Sequence, residues 1–181
     1  AIRKVCTKYD MPLFIDGARL GYALTATGND VTLEDIARIA DVFYIGGTKV
    51  GAMFGEAVVF THGNMPKNFV TLVKQHGALL AKGWLLGVQF DTLFTDDLYC
   101  GIARHANDAA DRIREVLVER GYTLTFDAPT NQIFITLDNA TSERLQRNVR
   151  LGFMEKADDT HTVMRICTSW ATTDEQVEQL I

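Results

Sequence analysis

The stretch that decides the fold reads Leu13-Phe14-Ile15-Asp16-Gly17-Ala18-Arg19. Its first three residues form an apolar run, which is typical of a strand buried on both faces of a parallel sheet. The run ends in an acid and two small residues, and open α/β sheets bind their ligands at the carboxyl ends of their strands. Gly17 and Ala18 let another group approach the backbone closely. Asp16 is thus either a ligand-binding carboxylate or the cap of the next helix.

Apolar strands are also predicted at residues 42–45 and 57–60, on either side of a glycine-rich segment. Thr32 is followed by two acids, which is typical of a helix N-terminus, so a helix is expected over residues 33–40. Strand, helix and strand joined by short links indicate a parallel sheet with helices packed on it.

Two helical segments follow these strands. Residues 68–90 have a helical pattern, and polar residues at 91–97 indicate a boundary. Apolar residues then recur with the helical period over residues 102–120, and Gly121 stands where a helix-terminating glycine is expected. We therefore divide the chain into two domains, residues 1–94 and residues 95–181.

The second domain is predicted to be a small α+β unit with its helices on one face of the strands. Its strands are expected at residues 122–126, 132–137, near 151 and 162–168, and its shorter helices begin near residues 142 and 174.

Composition excludes several classes of protein. Hydrophobic residues make up 47% of the chain and charged residues 23%, as in ordinary globular proteins, and the net charge of −5 argues against nucleic-acid binding. Scattered cysteines and histidines indicate neither a disulfide framework nor a metal site. No apolar run reaches the roughly 18 residues of a membrane helix, and no signal peptide is recognised, so a cytoplasmic protein is expected. The chain opens within a predicted helix, which suggests a fragment.

Lys49 is a candidate nucleophile. It follows the second predicted strand within Gly46-Gly47-Thr48-Lys49-Val50, where burial among small residues would favour the neutral amine. A neutral amine can form an imine with a carbonyl compound. The alternative is a solvated lysine in a glycine-rich turn. The order of residues does not fit the phosphate-binding loop pattern.

Arg165 is a candidate anion-binding residue. Strand alternation places it on one face with Val163 and Cys167, where a guanidinium needs an anionic partner and its planar fork suits a carboxylate. The alternative is an exposed arginine on the solvent face of an edge strand.

Taken together, these segments resemble the threonine aldolase and β-eliminating lyase family of enzymes that depend on pyridoxal phosphate. Asp16-Gly17-Ala18-Arg19 is similar to the family's DGAR motif, and Gly47-Thr48-Lys49 to its lysine segment. Residues 128–134 resemble its TN-containing strand. The similarity covers the whole chain, but only the C-terminal half of such an enzyme. It implies an α/β fold: the C-terminal part of a fold type I large domain, followed by a small α+β domain.

The resemblance also implies roles for individual residues. Lys49 would carry the cofactor, Asp16 would hold the proton on its ring nitrogen, and Arg165 would bind the substrate carboxylate. Arg19 and Thr48 would be further cofactor contacts.

Reaction and assembly follow from the same resemblance. The expected reaction converts L-threonine to glycine and acetaldehyde in a homodimer or homotetramer. A β-eliminating lyase acting on another amino acid and a non-catalytic dimerising relative remain as alternatives.

Several parts of such a site are expected upstream of this chain, namely the loop for the cofactor phosphate and the histidine that stacks on its ring. The fragment alone is therefore expected to be inactive. A neighbouring subunit of these aldolases contributes an arginine, but the corresponding residues 75–83 contain none. Lys82 either replaces that arginine or is an ordinary lysine on a helix surface.

Overall fold

The computed structural model describes all of residues 1–181, which form two compact units. The first unit comprises residues 1–24 and 29–100, and the second comprises residues 25–28 and 101–181. The domain division after residue 94 stays a prediction. No helix combines the length and the apolar character needed to cross a membrane.

The first unit contains a three-stranded sheet in the order β1-β2-β3. Strand β1 (Phe14–Ile15) is parallel to β2 (Val42–Gly46), as predicted. Strand β3 (Glu56–Phe60) is antiparallel to β2, so the expectation of a wholly parallel sheet is wrong. The reason is the link at residues 47–55, which is shorter than the dozen or more residues of a parallel crossover.

Only one face of this sheet is buried. Phe43 and Ile45 are buried on that face, whereas Phe14 and Val58 on the other face are 57% and 50% exposed. Burial of β1 on both faces is therefore not seen within residues 1–181 alone. Tyr44 lies on the exposed side, since side chains alternate along a strand.

The helices of the first unit differ from the prediction in one place. Helix α3 begins on a Thr32 capping box, as expected. The helical segment predicted at residues 68–90 is instead two helices, because Gly77 and Lys82 have φ angles of 69° and 61°, which an α-helix cannot contain. The helices of this unit are α1 (Ile2–Lys8), α2 (Leu20–Leu24), α3 (Leu33–Ile39), α4 (Phe69–Gln75) and α5 (Trp84–Phe94), with a 3₁₀ turn at Thr95–Asp97.

Three antiparallel strands, in the order β4-β6-β5, form the sheet of the second unit. Ile133, Ile135, Met164 and Ile166 are buried on one face of this sheet, where helices pack against them. This confirms the predicted α+β organisation. The elements are α6 (Leu98–Glu119), β4 (Gln132–Asp138), α7 (Asn139–Leu145), β5 (Gly152–Lys156), β6 (His161–Cys167) and α8 (Asp174–Leu180).

The strand predicted at residues 122–126 is wrong. Only an isolated bridge between Leu124 and Ile135 forms there. Tyr122 closes the end of α6 instead, since its N–H donates to the Leu117 carbonyl at 2.9 Å, just after Gly121 with a φ of 82°.

Candidate active site

Asp16 and Lys49 lie at one edge of the first unit's sheet. Asp16 follows the last residue of β1, and Lys49 lies just beyond the end of β2. The carboxyl ends of two parallel neighbours meet at the same edge, which is where such sheets bind ligands. The positive charges of Lys49 and Arg19 both act on the Asp16 carboxylate. The parallel pairing of β1 with β2 therefore places Asp16 and Lys49 at one sheet edge, and Arg19 lies in the turn that follows β1 there.

The Asp16 carboxylate uses only one of its two oxygens within the protein. Oδ1 accepts a hydrogen bond from the Tyr44 hydroxyl and one from the Ala18 N–H at 3.0 Å. No protein group donates to Oδ2. Asp16 does not cap α2, because that helix begins at Leu20 and the one backbone N–H that donates to the Asp16 side chain is that of Ala18, in the turn before the helix. The capping alternative is therefore wrong.

These contacts lower the pKa of Asp16. The hydrogen bond from Tyr44 is the largest cause, and the N–H of Ala18 is the next. Desolvation acts in the opposite direction, and the charges of Lys49 and Arg19 lower the pKa further. Asp16 is thus ionised at neutral pH.

Glycines in this region let two backbones meet. The N–H of Gly46 donates to the Gly17 carbonyl at 2.9 Å. A Cβ atom on Gly17 would overlap the Tyr44 carbonyl oxygen, and one on Gly46 would lie 2.6 Å from the Ala18 carbonyl oxygen. The group that approaches the backbone at Gly17 and Ala18 is therefore strand β2 itself.

Tyr99 holds the start of the loop that carries Lys49. Its side chain is 1% exposed, and its hydroxyl donates to the Gly46 carbonyl at 2.9 Å while accepting from the Gly21 N–H at 3.1 Å. Burial raises the pKa of Tyr99, so the hydroxyl keeps its proton. One buried phenol thus ties the first turn of α2 to the end of β2.

Replacing Tyr99 with phenylalanine removes both of these hydrogen bonds and leaves the ring in place. We expect a loss of about 1–3 kcal/mol in the free energy of unfolding, because both bonds are buried. The urea midpoint measures this loss. Tyr9→Phe, which removes an exposed hydroxyl, is the control and should leave the midpoint unchanged. An unchanged midpoint for Tyr99→Phe would contradict the anchoring role.

Glu56 holds the next two residues of the same loop. Its Oε2 accepts from the Gly47 N–H at 2.6 Å, and its Oε1 accepts from the Thr48 hydroxyl at 3.0 Å. Lys49 is half-buried, and its carbonyl accepts from the Tyr22 hydroxyl. The lysine therefore projects from a loop fixed at successive residues. The Thr48 proton is used within the loop, and the predicted contact of Thr48 with a cofactor stays a prediction.

Arg19 offers a donor to the same region. Its side chain is half-buried, and its Nε is buried without a hydrogen-bond partner. A buried donor of this kind is costly unless an acceptor binds to it. Asp16 Oδ2, Arg19 Nε and the Lys49 amine together suit a ligand that carries a protonated ring nitrogen, hydrogen-bond acceptors and a carbonyl carbon. Pyridoxal phosphate fits this set of groups.

Arg165 lies in the second unit, on β6. Its neighbours Met164 and Ile166 face the core, so its side chain is on the opposite face, as predicted. Nη1 donates to Gln132 Oε1 at 3.1 Å, while Nε is buried without a partner. Arg165 takes part in none of the chain's ion pairs. The guanidinium is therefore held by a neutral group and keeps donors for an anion.

Asn131 gives a structural reason for the asparagine in the segment at residues 128–134. Its side chain is 2% exposed, and its Nδ2 donates to the Thr168 carbonyl at 2.6 Å. The Thr168 N–H donates back to the Asn131 carbonyl at 3.0 Å. These bonds tie the start of β4 to the residue after β6, which is the strand that carries Arg165.

Lys82 is not a helix-surface lysine. It lies between α4 and α5 with a φ of 61°, so that interpretation is wrong. Its contact with a cofactor phosphate stays a prediction.

Four residues that hydrogen-bond to Asp16 or to the Lys49 loop were not predicted from the sequence: Tyr22, Tyr44, Glu56 and Tyr99. Only Glu56 had a usable signal, as an acid at the start of the strand after a glycine-rich loop. Each tyrosine donates to a partner at least 27 residues away in sequence, so no local pattern marks the contact.

Comparisons with known proteins give matches to most of the chain. A sequence model of the beta-eliminating lyase family matches residues 1–151. A low specificity L-threonine aldolase of Pseudomonas aeruginosa is 29% identical over 181 residues, which are 99% of this chain and 51% of that protein. The chain spans about half the length of the curated relatives it matches.

Solved structures give the same result. A structure of Leishmania major threonine aldolase is 41% identical and superposes with a TM-score of 0.94, covering 99% of this chain and 52% of that one. A serine palmitoyltransferase of Sphingomonas wittichii, 19% identical with a TM-score of 0.66, covers 98% of this chain and 47% of that one and shows the fold alone. These matches confirm the predicted fold class, that of the fold type I enzymes that use pyridoxal phosphate.

Proposed function

We propose, from the premise that the chain belongs to the beta-eliminating lyase family, that it is the C-terminal half of a pyridoxal-phosphate-dependent lyase. The enzyme cleaves the Cα–Cβ bond of a β-hydroxy amino acid and converts L-threonine to glycine and acetaldehyde. The half that precedes this chain supplies the rest of the cofactor site. The relatives named as threonine aldolases support this substrate.

One observation carries the proposal. Asp16, with an unused carboxylate oxygen, lies at the same sheet edge as Lys49, whose loop is fixed by surrounding hydrogen bonds. A carboxylate that keeps a ring nitrogen protonated and an amine that reacts with an aldehyde are the two groups pyridoxal phosphate requires.

Each residue has a defined task in the proposed site. Lys49 would hold the cofactor through its amine, and the Asp16 carboxylate would keep a proton on the ring nitrogen of the cofactor. Arg19 would contact the cofactor from the turn before α2, and Thr48 would contact it from the loop that carries Lys49. When bound, pyridoxal phosphate supplies an electron sink for the electron pair left by bond cleavage.

Arg165 orients the substrate. Its guanidinium binds the α-carboxylate through two parallel hydrogen bonds, which fixes the amino acid and so selects the bond to be cleaved. The enzyme acts on small amino acids in the cytoplasm as a homodimer or homotetramer, and neither a nucleic acid nor a membrane takes part.

A second candidate function is β-elimination from another amino acid. The match of residues 1–151 to the beta-eliminating lyase family favours it. A non-catalytic dimerising relative is a further alternative, which the intact Asp16 and Lys49 pair disfavours.

Product analysis separates these functions. The full-length protein, with pyridoxal phosphate added, is incubated separately with L-threonine and with each other common amino acid, and glycine, aldehyde, ammonia and oxo acid are quantified. Aldol cleavage gives glycine and acetaldehyde in equal amounts. Ammonia with an oxo acid would favour the eliminating lyase, and no product from any amino acid would favour the non-catalytic relative.

Replacing Arg165 with lysine tests the role of the second unit. A point charge cannot reproduce two parallel hydrogen bonds, so losing the bidentate contact should cost about 1.5–3 kcal/mol, or roughly 10- to 150-fold in substrate affinity. Substrate titration of the full-length protein measures this change, while cofactor binding should be unaffected.

The matched control for this variant is Arg104→Lys, at an exposed arginine of α6. It should leave substrate affinity unchanged. A lower melting temperature of Arg165→Lys with wild-type substrate affinity would instead assign Arg165 a purely structural role.

A further inference from the structure

We propose that Tyr44 is a positioning residue of this site, which fixes the Asp16 carboxylate so that Oδ2 is left for the ring nitrogen of the cofactor. This inference rests on the proposed function, because it assigns a task to a residue that acts on the cofactor only through Asp16. Tyr44 itself touches neither cofactor nor substrate in this assignment.

The hydrogen bonds of Asp16 are divided unequally between its oxygens. The Tyr44 hydroxyl and the Ala18 N–H both donate to Oδ1, and neither donates to Oδ2. Asp16 is exposed, so its side chain would otherwise be free to rotate and share both oxygens with water. Two donors on one oxygen fix this rotation and leave the other oxygen available.

The chemical nature of Tyr44 suits this task. A neutral donor orients a carboxylate without cancelling its charge, whereas a lysine or arginine in the same place would compete with a protonated ring nitrogen. The hydrogen bond to Asp16 raises the pKa of Tyr44, so the phenol keeps the proton that it donates. The pair is therefore a phenol and a carboxylate at neutral pH, with one full negative charge.

The ring of Tyr44 is itself well fixed. It lies on β2, where the Tyr44 backbone pairs with Val58 of β3, and its ring centroid is 6.1 Å from that of Phe14 on β1. The carbonyl of Tyr44 also lies directly against Gly17, the residue after Asp16. Tyr44 and the Asp16 turn thus form one rigid arrangement, and only the hydroxyl links the two side chains.

Replacing Tyr44 with phenylalanine removes that hydroxyl and keeps the ring contacts. The test measures the dissociation constant of the full-length apoprotein for two probes, pyridoxal phosphate and its analogue with a C–H group in place of the ring nitrogen. We expect Tyr44→Phe to raise the dissociation constant for pyridoxal phosphate about 5- to 30-fold. This is less than the full loss of a hydrogen bond to a charged group, because the Ala18 N–H still holds Oδ1. The analogue has no ring nitrogen for Asp16 to bind, so its dissociation constant should change less than about 2-fold.

Asp16→Asn completes the test as a double-mutant cycle. If Tyr44 acts through Asp16, Tyr44→Phe has no further effect on cofactor affinity in the Asp16→Asn protein. Tyr9→Phe, an exposed tyrosine, is the control and should match the wild type for both probes. Melting temperatures recorded for all variants show that each is folded.

Three results would overturn the inference. Equal weakening of both probes would mean that Tyr44 shapes the pocket without acting through the ring nitrogen. If Tyr44→Phe bound pyridoxal phosphate with wild-type affinity, Tyr44 would have no positioning role, but the proposed function would remain intact. Failure of the wild-type protein to bind pyridoxal phosphate would overturn the proposed function and this inference together.

Discussion

Replacing Lys49 with alanine in the full-length protein is expected to abolish the visible absorbance of the bound cofactor and to reduce turnover by roughly 10³-fold or more. Alanine has no amine with which to hold the cofactor. The loop itself should keep its conformation, because its hydrogen bonds do not involve the Lys49 side chain. Glu56 binds the Gly47 N–H and the Thr48 hydroxyl, and Tyr22 binds the Lys49 carbonyl. Absorbance spectra and initial rates with added pyridoxal phosphate measure both effects.

An exposed lysine of the same unit provides the control for Lys49→Ala. Lys67→Ala removes one positive charge without touching the sheet edge and should keep both absorbance and turnover. If Lys49→Ala retained wild-type absorbance, another lysine would have to hold the cofactor, and the assignment of this loop would be wrong.

Replacing Asp16 with asparagine should produce the second-largest effect. Asparagine keeps the shape of the side chain and a carbonyl oxygen for the Tyr44 and Ala18 donors, but it removes the negative charge. Electrostatic stabilisation of this kind is commonly worth roughly 10²–10³ in rate, so turnover should fall by that factor while some cofactor still binds. Steady-state rates at saturating pyridoxal phosphate measure the loss. Near wild-type turnover would reduce Asp16 to a structural residue of the β1–α2 turn.

Local sequence signals account for much of the fold. Thr32 with two following acids predicted the start of α3, and the apolar runs predicted β1 and β2, because capping and strand burial depend on residues close in sequence. The direction of β3 was predicted wrongly, since it depends on the length of the link between β2 and β3. The break between α4 and α5 depends on left-handed backbone at Gly77 and Lys82. The glycine is a weak signal within a helical pattern, and the lysine gives none.

In the candidate site, too, local sequence signals predicted some residues, whereas contacts between distant residues were missed. Asp16, Lys49 and Arg165 were predicted because they follow or occupy recognisable strands and match family motifs. Tyr44 and Glu56 were not, because the first contacts Asp16 from the neighbouring strand and the second reaches the loop across an antiparallel pair. Strand register determines both contacts, and it becomes known only once the sheet is described.

The central claim is that the sheet edge bearing Asp16 and Lys49 holds the cofactor. Its most direct test is to load the full-length protein with pyridoxal phosphate, fix the cofactor to its lysine with borohydride, digest the protein and locate the modified peptide by mass spectrometry. We predict a single modified residue, Lys49. Modification of a different lysine, or a protein that borohydride leaves unmodified, would contradict the claim.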